Sequence, residues 1–567
     1  MNKKSFKYFL ILVLCVAVFP LAFVFAPSYT ASAISNSCTA SYSENVLTSI
    51  TGDFTGLRAE SLDDVYEILD EFKNDFGFSS SRQALLFDKT VDSLVGKVYR
   101  FKQMINGIEV YGSDVIVSVK NNYRVTSITG KYYLDVKYNE SLSYSKAEAL
   151  ETVKNNYPEM DVEFSKEYIY DFENDGYVAY VFDASTIGES HKVFVSAKTG
   201  EIVDDKKSDT LLRDTLPTTG YKTTTEKHVY TIDGETFSVD VTKYTSILNP
   251  SSYFYALSNP SKNIAMANGQ NKSNYSCLYY DDETGTLNFN DDDAIKAYYS
   301  LLRCYDFYAD KSNFGFEQKG IKNKSGATIN LVAIVHFGTN YENAGYSGPS
   351  GNGTKGYFIF GDGNSSSLTS PTYSFVNGID IVGHEYQHAF TTQICDFDYE
   401  GESGALAEAF SDIFGAVIEG KGIANEGFWQ MGEDVVKYSR NIFRDMSNPT
   451  LHGCVADYTS FKNNISRCGG NYTEDNDYGA IHYNCTLPTY ATYLMYKQNP
   501  EFFTEYNILR LWYQTLTKLG TKAGIADFCS AMVEAANDLE FSSENKMIIN
   551  SVFATIGVPG YTGIEIW

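Results

Sequence analysis

The chain is long and strongly acidic, and these two properties already exclude several classes of protein. Its 567 residues leave room for roughly three or four domains and a large core. With 71 acidic and 45 basic residues it carries a formal net charge of −26, which argues against nucleic acid and anionic membrane surfaces as partners.

The N-terminal segment has the pattern of a secretory signal peptide. Three lysines within the first seven residues precede an apolar run from Phe9 to Phe25 and an Ala-Ser-Ala sequence that ends at Ala33. An uncleaved membrane anchor is the alternative, and Pro20 and Pro27 favour cleavage over it. We therefore expect residues 1–33 to be removed and the protein to be secreted, with no membrane association afterwards.

The next segment, residues 34–207, has a mixed α and β pattern of its own. Alternating valines followed by two asparagines predict a hairpin around residues 115–122. Ser145 and Glu148 form a capping box that opens a helix near residues 146–156. The position of the segment, directly after the signal, favours a removable propeptide over the alternative of a permanent binding or surface-attachment module.

The remainder of the chain divides into two parts of different pattern. Residues 208–378 are rich in Tyr, Thr, Val, Ser and Gly and contain short strand runs, with one predicted helix in DDDAIKAYYSLLRCYDFYADKS. From residue 379 onward, apolar residues recur at helical spacing. We predict a β-rich lobe followed by a mainly helical lobe, which is an α+β fold.

The first of the later helices carries the strongest chemical signal. Gly383 to His388 reads GHEYQH, with two histidines four positions apart and a glutamate between them. Residues i and i+4 lie on one face of a helix, so His384 and His388 can direct two imidazole nitrogens at one ion. Glu385 then lies beside the ion, where it can accept a proton from water that zinc has made acidic. The alternative is a chance match on a surface helix.

A third ligand is predicted on a second helix, twenty positions after His388. Ser403 is a good N-cap, and the apolar residues that follow recur at helical spacing, so residues 404–419 are predicted to be helical. Glu408 on this helix completes a His, His, Glu set with a position left for water. Asp412, one turn further on, can hold the far nitrogen of a ligand histidine.

This region resembles the active site of the thermolysin family of secreted neutral zinc metallopeptidases, whose glutamate ligand has the same twenty-residue spacing. The likeness extends to NLVAIVHFGTNYENAG upstream and to RDMSNP and DYGAIHYN downstream, and covers about residues 208–567. It implies a two-lobed zincin domain, with an N-terminal lobe over 208–378, a helical C-terminal lobe over 379–567 and the active-site helix at the base of the cleft. The implied activity is that of a zinc endopeptidase.

The resemblance also implies residues that act on the substrate. Tyr399 and His482 match the donors to the tetrahedral oxyanion, and Asp477 matches the aspartate that orients His482. The substrate backbone is expected to bind at Asn343, Ala344 and Arg444. Without the family pattern, Arg444 is equally well a surface charge and His482 a loop histidine.

Substrate preference follows from four further positions in the family alignment. A pocket for the residue after the scissile bond is expected from Phe375, Ile381, Met431 and Phe443, which are all large and apolar. The resemblance therefore implies cleavage before Leu, Phe, Ile or similar residues. Simple core positions are the alternative for each of the four.

Calcium is the point at which the family pattern is broken. Asp380, Glu419 and Glu433 match family calcium ligands. However, Phe428 stands where another aspartate is expected and Gln430 where a glutamate is usual. We expect the double calcium site of the family to be single, weakened or absent.

The segment before the catalytic part resembles a fungalysin/thermolysin propeptide domain over residues 34–135 and a PepSY domain over 136–207. By that resemblance it assists folding, inhibits the active site and is removed by self-cleavage between about Asp204 and Leu216. The protein is expected to be a monomer whose partners are peptide or protein substrates and its own propeptide.

Cysteines and one histidine lead to two structural predictions. The catalytic region has seven cysteines, an odd number, and Cys454 and Cys468 flank a polar loop that a disulfide is predicted to close. His336, beside the apolar run Val332–Val335, is interpreted as a buried structural histidine.

Two other functions remain open from the sequence. A zinc aminopeptidase shares the first helix, but its third ligand lies one position closer to the second histidine. A secreted binding protein without activity is the second alternative, and the presence of every residue needed for the chemistry weighs against it.

Overall fold

The computed structural model describes residues 38–561 except 44, 140, 173–175, 187–188, 209–218, 273–277, 283–286, 288, 324 and 350–352. The predicted signal peptide, Cys277 and most of the predicted self-cleavage segment therefore lie outside the described residues. Among those that are described, no helix combines the length and the apolar character needed to cross a membrane.

The described part of the chain before residue 209 forms one sheet with four separate hydrophobic clusters, two of them larger than the others. Strands follow in the order β1-β2-β7-β6-β4-β5-β8-β9-β10-β11, with β3 beside β4, and the parallel pair β5 and β8 joins the two predicted propeptide regions. The elements are β1 (Cys38–Ser43), β2 (Val46–Gly52), α1 (Leu62–Glu71), α2 (Lys73–Phe76), α3 (Ser81–Ala84), β3 (Leu85–Ser93), β4 (Gly96–Ile105), β5 (Ile108–Val110), β6 (Asp114–Lys120), β7 (Val125–Tyr133), α4 (Lys146–Asn156), β8 (Asp161–Tyr170), β9 (Tyr177–Thr186), β10 (Glu189–Ser196) and β11 (Ile202–Ser208).

Strand β6 shows how this sheet meets the rest of the protein. Val115 and Val117 pack into the first propeptide core, whereas Ile116 belongs to the large core of the catalytic part. The predicted hairpin is present, since β6 pairs with β7 in antiparallel register. The strand is buried on both faces because the catalytic part covers the second one.

The N-terminal catalytic lobe contains two sheets and a long helix. A four-stranded sheet has the order β12-β13-β14-β18, and a six-stranded sheet has the order β15-β16-β19-β21-β20 with β17 beside β16. The elements are β12 (Tyr221–Ile232), β13 (Glu235–Ser246), β14 (Tyr253–Ala256), β15 (Ser258–Asn259), β16 (Ile264–Lys272), β17 (Leu278–Tyr279), β18 (Asp281–Asp282), α5 (Asp292–Ala309), α6 (Lys311–Phe314), β19 (Asn330–Phe337), β20 (Ala344–Ser347) and β21 (Lys355–Phe360).

The C-terminal lobe is mainly helical, as predicted. Two short strands pair with each other between the helices. The elements are α7 (Ile379–Ile394), α8 (Gly401–Glu419), β22 (Gln430–Met431), β23 (Arg444–Asp445), α9 (Tyr458–Arg467), α10 (Asp477–Asn484), α11 (Thr486–Gln498), α12 (Glu505–Thr517), α13 (Ile525–Asp538) and α14 (Ser543–Thr555). One hydrophobic core extends through both catalytic lobes.

Three helix predictions can be compared directly with the structure. The capping box of Ser145 and Glu148 opens α4 at Lys146, as predicted. The helix predicted in the segment DDDAIKAYYSLLRCYDFYADKS is also present, as α5. The predicted start of α8 is wrong, because this helix begins at Gly401 and Ser403 lies inside its first turn. The Ser403 hydroxyl donates to the Asp398 carbonyl at 2.5 Å, and the residue at the N-cap position is Glu400.

Candidate active site and metal centre

Helices α7 and α8 approach each other closely because glycines lie at their contact. A Cβ atom on Gly415 would lie 2.5 Å from the carbonyl oxygen of Asp380, and one on Gly383 would lie 3.1 Å from the Cα atom of Gly415. Any larger residue at either position would force the two backbones apart. The short separation brings Glu408 on α8 opposite the histidines of α7.

The predicted ligands converge on one point. His384 Nε2 and Glu408 Oε2 are 3.3 Å apart, and His388 Nε2 and Glu408 Oε1 are 3.2 Å apart. The two Nε2 atoms lie 3.0 Å from each other. Glu408 is fully buried, and within the described part of the chain its Oε2 has no hydrogen-bond partner. Two nitrogens and a carboxylate directed at one position are a suitable donor set for zinc.

The charges around this point favour a bound cation. Burial raises the pKa of Glu408, but His482, His388 and His384 outweigh burial and hold it well below its ordinary value. For His384, burial lowers the pKa, and Glu408 and Asp412 together raise it to about 10. The buried carboxylates thus hold positive charge at the imidazoles, which a metal ion can supply in place of protons.

Glu385 lies beside the ligands without being one of them. It is buried, and burial raises the pKa of its carboxyl group, against the attraction of His384 and His388. A carboxylate with a raised pKa next to a metal position is suited to accept and return a proton near neutral pH. This location agrees with the sequence prediction of a base beside the ion.

The Asp412 carboxylate forms hydrogen bonds with both His384 and Arg444. Its Oδ1 lies 2.9 Å from His384 Nδ1, which leaves Nε2 of that ring directed at Glu408. Arg444 donates to the same carboxylate from Nε at 2.7 Å and from Nη2 at 2.6 Å. The contact between Arg444 and Asp412 was not predicted, since thirty-two residues separate them and no local pattern links them. Cys485 Sγ also lies 3.6 Å from Asp412 Oδ2.

Tyr399 and His482 both border the ligand set. The Tyr399 hydroxyl donates to Glu408, and His482 Nε2 lies 3.3 Å from Glu408 Oε2. Asp477 holds His482 twice, through its ring Nδ1 at 2.5 Å and through its backbone N–H at 3.0 Å. The structure therefore brings Tyr399 and His482 to Glu408, and Asp477 joins this group through His482.

The backbone before His482 is left-handed. Asp477, Tyr478 and Ala480 have φ values of 54°, 47° and 61°, and Gly479 lies between them with a φ of 98°. Three residues with a Cβ in this region store backbone strain, which elsewhere often marks a functional site. The turn places the Asp477 carboxylate against both the backbone and the ring of His482.

The predicted substrate edge is strand β20, which is the last strand of its sheet. Asn343 precedes it, and its carbonyl accepts from Gly361 N–H at 3.0 Å. Ala344 is buried at the start of the strand. The loop that follows Gly363 is tied to this edge, because the Thr372 hydroxyl donates to Glu342 at 2.8 Å.

Three of the four predicted pocket residues are buried. Phe375, Ile381 and Met431 are at most 6% exposed, and Phe443 packs against them at the edge of the core. The rings of Phe375 and Phe443 are stacked with centroids 5.6 Å apart. Phe375 and Phe443 are thus in contact, and all four side chains are apolar, while their role towards a substrate stays a prediction.

Two other sequence predictions have different outcomes. The Cys454–Cys468 disulfide is wrong, since both cysteines are free; their thiols donate to the carbonyls of His452 and Asn464 on separate turns. The structural role of His336 is supported, because its two ring nitrogens lie 2.7 Å and 2.8 Å from aspartate oxygens. These hydrogen bonds raise its pKa to about 10, but the side chain is 23% exposed and not buried.

The amino-acid sequence matches known protein families over most of this region. Residues 233–392 match the family described as "Thermolysin metallopeptidase, catalytic domain", and residues 395–558 match its "alpha-helical domain". Residues 88–132 match the "Fungalysin/Thermolysin Propeptide Motif". The two catalytic matches contain His384, Glu385 and His388 of the zinc motif and the third ligand, Glu408.

Individual relatives are similar along most of the chain. Bacillolysin of Bacillus cereus is 28% identical over 486 residues, which covers 79% of this chain and 79% of that protein. Bacillolysin of Bacillus amyloliquefaciens is 27% identical over 512 residues, covering 85% and 87%. Thermolysin of Alicyclobacillus acidocaldarius is 25% identical over 527 residues, covering 87% and 90%.

Proposed function

We propose, from the premise that this chain belongs to the thermolysin family of zinc metalloendopeptidases, that it is secreted as a zymogen and cleaves proteins before large apolar residues. The observation that carries the proposal is the convergence of His384, His388 and Glu408 on one position beside Glu385. His384, His388 and Glu408 would hold a zinc ion, which would acidify water and polarise the peptide carbonyl.

Glu385 moves the proton in the proposed reaction. It accepts a proton from the water that attacks the peptide carbonyl and delivers it to the nitrogen that leaves. Its burial favours this exchange, because the pKa of a buried carboxyl group lies closer to neutral pH. Asp412 contributes indirectly by holding the ring of His384.

Tyr399 and His482 are proposed to stabilise the tetrahedral oxyanion. Both border Glu408 and can donate a hydrogen bond towards the carbonyl oxygen as it becomes negative. Asp477 keeps His482 in place through Nδ1, and although burial lowers the pKa of this ring, Glu408 and Asp477 raise it, which favours the doubly protonated ring with a donor on Nε2. Arg444, whose Nε and Nη2 are engaged by Asp412, retains Nη1 for a substrate carbonyl, and Asn343 supports the substrate from the edge strand.

The specificity proposal can be tested with a library of peptides that are blocked at the N-terminus. The mature protein is expected to contain zinc and to cut internal bonds before Leu, Phe and Ile, because Phe375, Ile381, Met431 and Phe443 form an apolar group. Cleavage sites read by mass spectrometry, with zinc content measured on the same sample, check this. A preference for charged residues after the cut would contradict the pocket, and no cleavage of blocked peptides would favour an aminopeptidase or a binding protein.

The segment before residue 209 is proposed to be the inhibitory propeptide, with domains over 34–135 and 136–207 as predicted. Its contacts with the catalytic part reach the active-site rim. Lys206 Nζ contacts Asp398 and lies 3.4 Å from Glu400, the two residues that flank Tyr399. Tyr111 donates to the Asp398 carboxylate at 3.3 Å.

A second group of contacts binds the turn between α12 and α13. Arg100 is fully buried and donates to the Leu519 carbonyl at 2.6 Å. Asp114 accepts from Thr521 N–H at 2.8 Å. Lys518 of the catalytic part is buried between Asp538, 2.8 Å away, and propeptide hydroxyl groups. These contacts adjoin the first group, because the Asp398 N–H donates to the Thr521 carbonyl at 2.9 Å.

Replacing Lys206 with methionine is expected to weaken inhibition. The change leaves Asp398 and Glu400 without their propeptide cation, so the uncleaved precursor should hydrolyse a short fluorogenic peptide roughly tenfold faster than the parent. The initial rate is measured before mature protein is visible on a gel. Lys154→Met, at an exposed position of α4, is the matched control, and equal rates for both variants would show that Lys206 does not hold the propeptide.

Calcium is proposed at Asp380, Glu419 and Glu433. Asp380 is completely buried and its Oδ2 accepts from Gly432 N–H at 2.7 Å. Phe428, at the position of an expected aspartate, is fully buried and contributes only apolar contacts. The chain therefore offers fewer oxygen ligands than a double site requires.

A further inference from the structure

Four carboxylates gather where the end of α8 meets the loop before β23. Asp380 comes from the first turn of α7, Glu419 from the last turn of α8, and Glu433 and Asp434 from the loop after β22. One oxygen each of Glu419, Glu433 and Asp434 lies within 4.8 Å of the others, which is a spacing that suits a metal ion. The family resemblance implies two calcium ions in this region.

Lys421 occupies the centre of that group of three. Its Nζ lies 3.0 Å from Glu419 Oε1, 2.5 Å from Glu433 Oε1 and 2.9 Å from Asp434 Oδ2. The chain can make this contact because Gly420 ends α8 in a left-handed conformation, with a φ of 74°, and turns Lys421 back towards Glu419. The ammonium group thus stands where the three oxygens would meet a cation.

The other oxygens of the cluster have a different environment. Asp380 Oδ1, Glu419 Oε2 and Glu433 Oε2 are buried, and in the described part of the chain none of them has a hydrogen-bond partner. Asp380 and the side chain of Glu419 are at least nine-tenths buried. Lys421 does not satisfy these three oxygens, because its contacts are to the other oxygens of Glu419 and Glu433 and to Asp434.

We infer that the ammonium group of Lys421 replaces one of the two calcium ions, and that Glu419, Glu433 and Asp434 therefore bind no metal ion. Calcium lies about 2.3–2.6 Å from its oxygen ligands, so a second ion cannot share Glu419 Oε1, Glu433 Oε1 and Asp434 Oδ2 with an ammonium group at the distances above.

The replacement of a calcium ion by Lys421 has a consequence for the stability of the fold. A bound calcium ion stabilises the fold only while its free concentration exceeds the Kd, whereas a lysine is covalently attached and always present. The carboxylate of Asp434 also remains in contact with water, because its side chain is 51% exposed. This inference concerns the fold of the helical lobe and does not depend on peptidase activity.

The test uses the full precursor carrying Glu385→Gln, so that the sample does not digest itself. Lys421→Met removes the ammonium group and keeps the length of the side chain. In about 1 mM calcium this variant is expected to bind one more calcium ion per chain than its parent, measured by mass spectrometry after dialysis. In chelator its Tm should fall by about 5 °C relative to the parent, and calcium should restore it.

Two controls separate this outcome from a general loss of folding. Lys421→Arg keeps the charge and is expected to bind as much calcium as the parent, and Lys437→Met removes an exposed lysine nearby in sequence without effect. An unchanged calcium content and Tm in Lys421→Met would overturn the inference.

A second variant keeps the inference testable if Lys421→Met does not fold. Asp434 lies in the part of the cluster where Lys421 takes the place of a cation. Asp434→Asn, introduced into the chain that retains Lys421, should therefore not change the calcium content. A loss of one calcium ion per chain on this substitution would show that Glu419, Glu433 and Asp434 bind a metal ion despite Lys421, and the inference would be wrong.

Discussion

The Glu385→Gln variant is expected to lose roughly 1,000-fold in kcat/KM on a fluorogenic peptide and to stop processing its own precursor. Glutamine has nearly the same shape as glutamate but cannot accept a proton from the attacking water. Because Glu385 lies beside His384, His388 and Glu408 without joining them, zinc content should stay at one ion per chain. This variant should therefore lose its activity and keep its zinc ion.

Three measurements on one preparation check this expectation. They are kcat/KM, zinc per chain by mass spectrometry, and the fraction of precursor that matures by itself. Glu501→Gln, at an exposed position, is the matched control and should behave like the parent. A Glu385→Gln precursor that matured alone and cleaved casein at the parental rate would show that another group is the base.

The second large effect is expected from Asp412→Asn. The side chain of Arg444 is only 10% exposed, and the Asp412 carboxylate compensates its positive charge while it accepts two hydrogen bonds from it. Removing the carboxylate charge leaves a buried guanidinium unpaired, so the free energy of unfolding should fall by about 3 kcal/mol. Zinc affinity should fall about 10- to 100-fold, because His384 loses the acceptor that orients its ring.

A double variant distinguishes the two roles of Asp412. Asp412→Asn combined with Arg444→Met removes both charges, and we expect it to recover most of the stability but none of the zinc affinity. Stability is measured by denaturant unfolding in the Glu385→Gln precursor, and zinc affinity by competition with a chelator. Equal zinc affinity in parent and Asp412→Asn would rule out the orienting role.

The stabilisation by Asp412 also has a predicted pH dependence. Burial favours its protonated form, but Arg444 and His384 outweigh burial and lower the pKa. A carboxylate with a lowered pKa in the folded state contributes stability above the pKa of the unfolded chain, and this contribution is lost as the pH falls through the folded value. Parent and Asp412→Asn should therefore differ most near neutral pH and converge in acid.

Local features of the catalytic site were predictable from the amino-acid sequence. The spacing of His384 and His388 specifies one helix face wherever the helix lies, because the relation between residues i and i+4 is set by backbone geometry. For the same reason the capping box at Ser145 located the start of α4 correctly. The signal in each case lies within a few residues.

Predictions that required a partner from a distant part of the chain were less successful. Ser403 is a good N-cap by residue type, yet its hydroxyl donates to the Asp398 carbonyl and α8 begins two residues earlier. Cys454 and Cys468 flank a loop, but their thiols hydrogen-bond to separate carbonyls. A side chain of a given type can form several alternative hydrogen bonds. The packing of neighbouring segments decides which of them it forms.

By itself, the sequence therefore predicted the zinc motif, a glutamate beside it as the base and a β-rich lobe followed by a helical one, since each depends on local spacing or composition. Tertiary structure decided how these parts are supported: the glycines that let α8 bring Glu408 to the histidines, the pairing of Arg444 with Asp412, and Lys421 among the carboxylates. Such contacts join residues far apart in the chain, and they form only where the packed backbones bring the charges within a few ångströms.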